Sequence, residues 1–557
     1  MTPGGPSSVP GPPSPRPPAK KWLVAVSIGL GAIMGSIDVS IVNVALPQIR
    51  GAVGATIQEI TWISTGYAIA LVVVMPLTGF LGRLFGQKRL YLAFLLLFVA
   101  GSALCGLARS LETLVAFRLV QGIGGGALQP TQQAILRQTF PPKEQGMAMA
   151  LFGMVAMLGP AIGPTLGGYI VDNWHWSWIF FINLPIGLAA AAMVGSFVHE
   201  DAEIVAANHA LAHAQRKWVD WIGIGLMAAG LAALQYFLEE GQRDDWFESR
   251  VITLAFLIAV VCLAAFVVRE LTARVPAVDL RLFADAAFTS GTLIGALMGA
   301  LLLGTMFLLP IFMQELLGFT AVQSGLALVP RTIAMLLVMP IVGRLYNHIS
   351  PRLVVGVGVC LVVLASYQMS ALTLQSGARD ILVPNLLQGG GFACLFVPLT
   401  TVALSGIPRH RLQDASGLNS LLRQLGGAIG LSVFATLLDH HAVEARASIS
   451  THLNVGSPLL LWRLDMLRAG LATRGVGPAS ASAAAFTALY RGMARQALVI
   501  AFEHVLLVSG LVFLLALPLL AFLKSKHAFH REVAPPPTTE GPTEPNGFPD
   551  DEVPAFE

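Results

Sequence analysis

Charged side chains are scarce in this sequence. Asp, Glu, Lys and Arg together make up 12% of 557 residues, about half the share of a soluble globular chain. Cysteine is scarcer still. Cys105, Cys262, Cys360 and Cys394 all fall inside apolar runs without CxxC spacing, so neither a disulfide framework nor a metal knuckle is indicated. The net charge of +3 is too small to point to nucleic acid. No GxxxxGK[ST] loop, HExxH, GxSxG or EF-hand pattern occurs, which removes the usual routes to ATP binding, zinc proteolysis, serine hydrolysis and calcium binding. His209 and His213 are four apart, but two imidazoles without a third ligand do not make a metal site. No cofactor is expected.

Apolar residues are there instead. Hydrophobic side chains make up 55% of the chain, and the mean hydropathy is +0.71. Runs of about 20 apolar residues, each long enough to span a bilayer, recur along most of the length. In lipid the backbone must satisfy its own hydrogen bonds, so these runs read as helices. Fourteen spans are expected, at 22–46, 60–82, 89–108, 112–137, 146–171, 177–198, 219–238, 250–269, 287–313, 321–346, 352–374, 382–406, 415–438 and 498–523. The Pro/Gly/Ser-rich stretch 1–19 and the stretch 526–557, rich in Pro, Asp and Glu, read as disordered tails. No cleavable signal is read at the N-terminus.

Lysine and arginine set the orientation. With the N-terminus inside, one set of loops holds Arg83, Lys88, Arg89, Arg137, Lys143, Arg216, Lys217, Arg344, Arg352, Arg409 and Arg411. The opposite loop at 239–250 is acidic, with Glu239, Glu240, Asp244, Asp245 and Glu248. The pattern predicts a multi-pass protein of the bacterial inner membrane with both termini cytoplasmic. Tryptophans 22, 174, 176, 178, 218, 221 and 246 fall near span ends, where interface anchors belong.

An internal repeat says more than hydropathy. Met75-Pro76-Leu77-Thr78-Gly79 matches Met339-Pro340-Ile341-Val342-Gly343 at an offset of 264. Leu119-Val120-Gln121-Gly122 matches Leu386-Leu387-Gln388-Gly389 at 267, and Gly159-Pro160-Ala161-Ile162-Gly163 matches Gly426-Gly427-Ala428-Ile429-Gly430 at 267. Spans two, four and five therefore pair with ten, twelve and thirteen. The repeat is parallel, with a six-helix half at 20–198, a loop at 199–218, two inserted helices at 219–270 and a second half at 271–525 that includes an external segment, 439–497. Two parallel six-helix halves are a transporter architecture.

Polar residues inside spans are costly and mark function by default. In the first half these are Asp38, Asn43, Arg118, Gln121 and Gln129; in the second, Glu315, Arg331, Asn419, Arg423 and Glu503. Asp38, Arg118, Glu315 and Glu503 are the candidates for proton coupling, because burial and a nearby cation move a carboxylate's proton affinity in opposite directions. A permanent structural contact of Asp38 is the competing reading. Asn43, Gln121, Gln129, Arg331, Asn419 and Arg423 are candidates for a cavity or gate. In the fifth span Gly159, Gly163 and Gly167 form a bare stripe for close helix approach, and Pro160 and Pro164 favour a bend; Gly153 and Gly168 lie at the two ends of this stretch. The turn between spans two and three carries Gly79, Arg83, Gly86 and Lys88, which suits a gate or a topology signal.

Ile37–Pro47, Arg118–Gly122, Gly153–Gly168, Gly167–Trp176 and Trp178–Gly187 resemble the EmrB/QacA-type drug:proton antiporters, nearest the EmrB type. The resemblance covers about residues 20–525. It implies an all-α membrane protein with the major facilitator fold: two six-helix halves plus two inserted central helices. It implies export of hydrophobic or amphipathic toxic compounds in exchange for protons, and no enzymatic activity. It also implies a periplasmic membrane-fusion adaptor of the EmrA type and an outer-membrane channel of the TolC type. The superfamily usually has an acidic residue where this chain has Arg83, so an Asp-based gating pair is not expected from that turn. A dedicated siderophore, antibiotic or lipid exporter is the alternative reading, and a non-transporting membrane sensor is a remoter one. The stretch Pro458–Arg468 reads as an amphipathic segment that helps dock an adaptor or lies on the membrane surface.

Overall fold

The computed structural model describes residues 18–200, 220–273, 276–451, 457–473 and 477–523. Most of the two tails, most of the 199–218 loop with His209 and His213, and the cations at 216, 217 and 274 lie outside the described residues. Thirteen of the described helices are long and apolar enough to cross a membrane. In chain order these are α1 Pro18–Val53, α2 Gln58–Phe85, α3 Gln87–Leu107, α5 Gln145–Asn173, α6 Trp178–Phe197, α7 Trp221–Glu240 and α8 Arg250–Thr272. They continue as α9 Ala286–Leu316, α10 Ala321–Leu345, α11 Pro351–Met369, α12 Ala378–Ala403, α13 Leu412–Thr451 and α15 Pro478–Phe513.

The fourteenth is α4, Leu111–Thr139. It has the length but not the hydropathy, because it carries Arg118, Gln121, Gln132, Gln133 and Arg137, all buried. A helix this polar cannot face lipid. It packs between α2 and α3 and touches α1, α5 and α13. Start and stop signals are orthodox: Ser110 caps α4 and Thr320 caps α10, each in a reciprocal capping box.

The packing repeats as the sequence does. α1 lies on α5 as α9 lies on α13; α3 on α4 as α11 on α12; α2 on α4 as α10 on α12. Gly122 sits against the Tyr67 carbonyl and Ala70, and Gly389 against the Arg331 carbonyl and Ala334. Gly159 and Gly163 meet Ser36 and Ser40 of α1; Gly426 and Gly430 meet Ala296 and Ala300 of α9. At each place a Cβ would overlap the neighbouring helix, so the glycines set the closeness of the pair. Pro160 and Pro164 do not interrupt α5, which runs unbroken through both.

The two inserted helices pack on each other, and α7 also touches α2 of the first half and α13 of the second. Asp220 caps α7 through the Gly223 N–H at 2.9 Å and binds Arg269 Nε of α8 at 2.7 Å. Burial opposes the Asp220 charge, but Arg269 and the backbone N–H groups outweigh it and hold the carboxyl below its ordinary range.

The external segment is more helical than hydropathy implies. α13 runs on to Thr451 and α15 begins at Pro478. No Gly or Pro interrupts 431–451, so the 40-residue α13 reaches about 60 Å, twice a bilayer core. Between them α14, Pro458–Ala472, packs along α15 through Leu464 and leaves Leu459, Trp462 and Met466 exposed.

Candidate functional site

Asp38 lies in the middle of α1 and is fully buried, flanked by Ser36, Ser40 and Ile41, the residues on which Gly159, Gly163 and Gly167 of α5 rest. Its carboxylate accepts three side-chain hydrogen bonds. Arg118 Nη1 donates at 2.6 Å, Gln121 Nε2 at 2.8 Å and Asn183 Nδ2 at 2.9 Å. Arg118 Nη1 also donates to Gln121 Oε1 at 2.8 Å, and Nε to the Ile63 carbonyl at 3.3 Å. The guanidinium stacks 4.2 Å over the Tyr67 ring, and Asn183 Nδ2 also donates to Ser102 Oγ at 3.0 Å. Four helices thus supply one cage: α1 the acid, α4 the base and amide, α6 the second amide, α2 the ring. In a low-dielectric interior a charge is tolerable only when paired and hydrogen-bonded, and this pair is both.

The other proton candidates stand apart from the cage. Glu315 is exposed in the last turn of α9, and Glu503 is half-buried in α15. Their helices meet through Phe312 and Phe502. Asn43 is exposed and accepts from Ser64 at 3.3 Å, and Gln129 is half-buried further along α4.

The second half holds different chemistry at related positions. Arg331 of α10 is buried and donates only to neutral groups, Thr305 Oγ1 at 3.4 Å and Gln388 Oε1 at 3.1 Å. Arg423 of α13 lies 5.4 Å from the centre of the Phe396 ring. Asn419 lies one turn before it, also buried.

The halves join directly at the end of the molecule that carries the loop cations. Arg83 pairs with Asp414 at the start of α13. Arg137 Nη1 donates to the Thr401 carbonyl at 2.8 Å, Gln413 Nε2 to Thr131 Oγ1 at 3.3 Å and Gln138 Nε2 to the Arg409 carbonyl at 3.4 Å. Asn347 donates to the Lys143 carbonyl. Gly79 and Gly82 leave room for Asp414 and Gln413, and Gly86 turns the chain at φ +81°. Lys88 Nζ donates to the Gly195 carbonyl at 2.7 Å. Of the glycines at the ends of that stretch of α5, Gly153 faces Phe396 and Met339 of the other half, whereas Gly168 faces open space.

Three of these residues escaped sequence reading. Asn183 sits in an apolar run beside Pro185, and its polarity was the available signal. Asp414 falls one residue before the apolar run at 415–438 and so looks like loop. Tyr67 has no signal, because an aromatic in a span is ordinary.

The Major Facilitator Superfamily pattern matches residues 28–431. The chain belongs to that superfamily. Among its relatives, the multidrug export protein EmrB of Haemophilus influenzae is 36% identical over 440 residues, covering 78% of this chain and 84% of that one. The fatty acid resistance protein FarB of Neisseria gonorrhoeae is 34% identical, covering 91% and 96%. Among solved structures, the proton:xylose symporter XylE superposes with a TM-score of 0.58 at 11% identity, covering 91% of this chain and 96% of that one. That similarity concerns the fold alone. The likeness to EmrB-type proteins and the all-helical transporter fold are both as the sequence implied, and the chain is a multi-pass transporter of this superfamily rather than an enzyme.

Proposed function

We propose that this transporter exports hydrophobic and amphipathic toxic compounds in exchange for protons, by alternating access. The observation that carries the proposal is the caged Asp38–Arg118 pair, set on the helix that α5 grips through its glycines. Protonating Asp38 removes the charge that Arg118 compensates, so the pair, and with it the α1–α4–α6 packing, has two electrostatic states. The kinship to EmrB and FarB, whose names record multidrug export and fatty acid resistance, supports the substrate class.

The cation-rich end belongs on the cytoplasmic side of the bacterial inner membrane. Because the halves are fastened there, the described conformer has its cytoplasmic side shut. Opening it requires breaking the Arg83–Asp414 pair and its neighbours, while the opposite ends approach. An EmrA-type adaptor and a TolC-type channel would complete a tripartite pump, with the exposed stripe of α14 as the docking element. If deleting 457–473 leaves adaptor crosslinking intact, that docking role is wrong.

The coupling experiment measures substrate-triggered proton movement in inverted vesicles for the native chain and Asp38→Asn. The expected result is a loss of at least about tenfold in proton movement, equivalent to about 1.4 kcal/mol in the coupled step, in a variant that still inserts and binds. Unchanged coupling would move the proton site to Glu315 or Glu503.

A further inference from the structure

The repeat makes the second half a test of what the first half's chemistry is for. At the offset of 264 Tyr67 corresponds to Arg331, and at 267 Ala156 corresponds to Arg423 and Phe152 to Asn419. In the packing Ser36 and Ser40 correspond to Ala296 and Ala300, which puts Met298 in the place of Asp38. The second half has therefore gained two guanidiniums and has no acid at the place where the first half keeps one. Among the described residues, neither Arg331 nor Arg423 forms an ion pair. Arg331 is satisfied by neutral acceptors. Arg423 is not: its Nη2 is shielded from solvent and bonds to nothing. One turn away Asn419, 4% exposed, has its Nδ2 in the same state. Both atoms are donors on residues one turn apart in α13, and an oxyanion is what two unused N–H donors and a positive charge fit.

Space and surroundings agree. A Cβ on Gly295 of α9 would meet only Asn419 Oδ1, at 3.9 Å, so there is room on the oxygen side of the amide, to which a half-turn of the amide brings Nδ2. Arg423 lies about 16 Å along α13 from its cytoplasmic end, near mid-bilayer, by the rise per residue. Phe396, under the guanidinium, stacks on Phe152 of the first half at 6.4 Å and touches Met339 through the notch at Gly153. An apolar wall built from both halves therefore adjoins a cationic end.

We propose that Asn419 and Arg423 form a receptor for the head group of amphipathic organic anions, carboxylates above all, with the tail lying along Phe396 and Phe152. This rests on the export reading and names one substrate class for it. A half-buried guanidinium with a shielded Nη2 and no counter-charge among the described residues favours a ligand that supplies the charge over a cation of the same shape.

The test uses the full-length protein in nanodiscs at pH 8, with two probes that share a twelve-carbon tail: dodecanoate and dodecyltrimethylammonium. Arg423→Gln should lower the ratio of dodecanoate to dodecyltrimethylammonium affinity at least about tenfold, Asn419→Ala about threefold, and Arg423→Lys should keep most of the ratio. Equal losses for both probes, or a ratio unmoved by Arg423→Gln, overturn the proposal and leave the N–H groups to water. In proteoliposomes the failures separate. A native chain that moves the cation but neither binds nor moves dodecanoate refutes the anion receptor alone. One that moves neither probe under any gradient refutes the receptor and the export reading together.

Discussion

The two halves share a backbone plan and differ in how they handle buried charge. In the first, Arg118 and Asp38 neutralise each other inside a cage of Gln121, Asn183 and Tyr67. In the second, Arg331 and Arg423 have no carboxylate partner among the described residues, and Met298 stands where the acid would be. Duplication fixed where helices touch, because small residues at the crossings decide that. It left the polar positions free to diverge. A paired charge is satisfied within the protein, whereas an uncompensated cation favours an anion from outside it. On the proposed reading the halves would divide the labour of an exporter, the first holding the proton site and the second the head-group receptor.

The largest effect should come from breaking the cage on one side only. Asp38→Ala leaves a buried guanidinium without its partner and should cost about 3–5 kcal/mol of stability, read as a fall in thermal melting in detergent. Asp38→Ala combined with Arg118→Met should recover much of that loss, since both charges are gone. Removing Arg331, which forms no ion pair, should cost less than Asp38→Ala. A larger loss from Arg331→Met would erase the contrast between the halves.

The next effect sharpens the likeness rather than the difference. Gly159→Val and Gly426→Val each drive a side chain into the facing helix, α1 in one half and α9 in the other. Each should cost about 1–3 kcal/mol, by similar amounts. Expression and melting of the two variants check this, and a large disparity would mean that only one crossing is close by necessity.

Why the fold was legible and the site only partly so follows from these residues. Apolar runs of bilayer length and the Gly-Pro repeats are local signals, so the spans and their pairing can be read along the chain. α4 was read as a span from its length and apolar content, although its polar residues put it below the hydropathy of the other thirteen. Asp38, Arg118 and Gln121 announced themselves as polar residues in apolar surroundings. That they meet, and that Asn183 and Tyr67 complete the cage, depends on how four helices cross, which no spacing encodes. Arg83 was legible as a departure from the superfamily's acidic residue, but not its partner. Asp414 supplies the acid from the other half, so a pair exists there with its charges distributed differently than the turn alone suggested.

That cross-half pair gives a smaller effect. Arg83 is partly exposed while Asp414 is buried, so Asp414→Asn should weaken closure at the cation-rich end by about 1–2 kcal/mol, a factor of about 5–30 in the open-to-closed ratio. Distances between spin labels at Lys143 and Asn347 measure that ratio. The exchange Arg83→Asp with Asp414→Arg should restore closure; if it opens the end further, the surrounding hydrogen bonds and not the pair hold it shut.

The inserted helices belong to neither half and serve as the control. Asp220 ties α7 to α8 and lies outside the spans. Its carboxyl is held below the ordinary value of 3.8 in the folded chain. A depressed folded value contributes stability that is fully present above the unfolded value and fades as pH falls through the folded one. Asp220→Asn should therefore cost about 1 kcal/mol at neutral pH, in the range of a lost helix cap, and the difference from the native chain should narrow only below about pH 4. The same substitution should leave the dodecanoate preference and the Asp38-dependent proton signal where they were, because among the described residues the Asp220 carboxylate bonds to Gly223 and Arg269 of the inserted pair and not to either half's polar core. A change in either would mean that the inserted pair reports on the halves it touches, and the division between proton site and cargo site would then need a third participant.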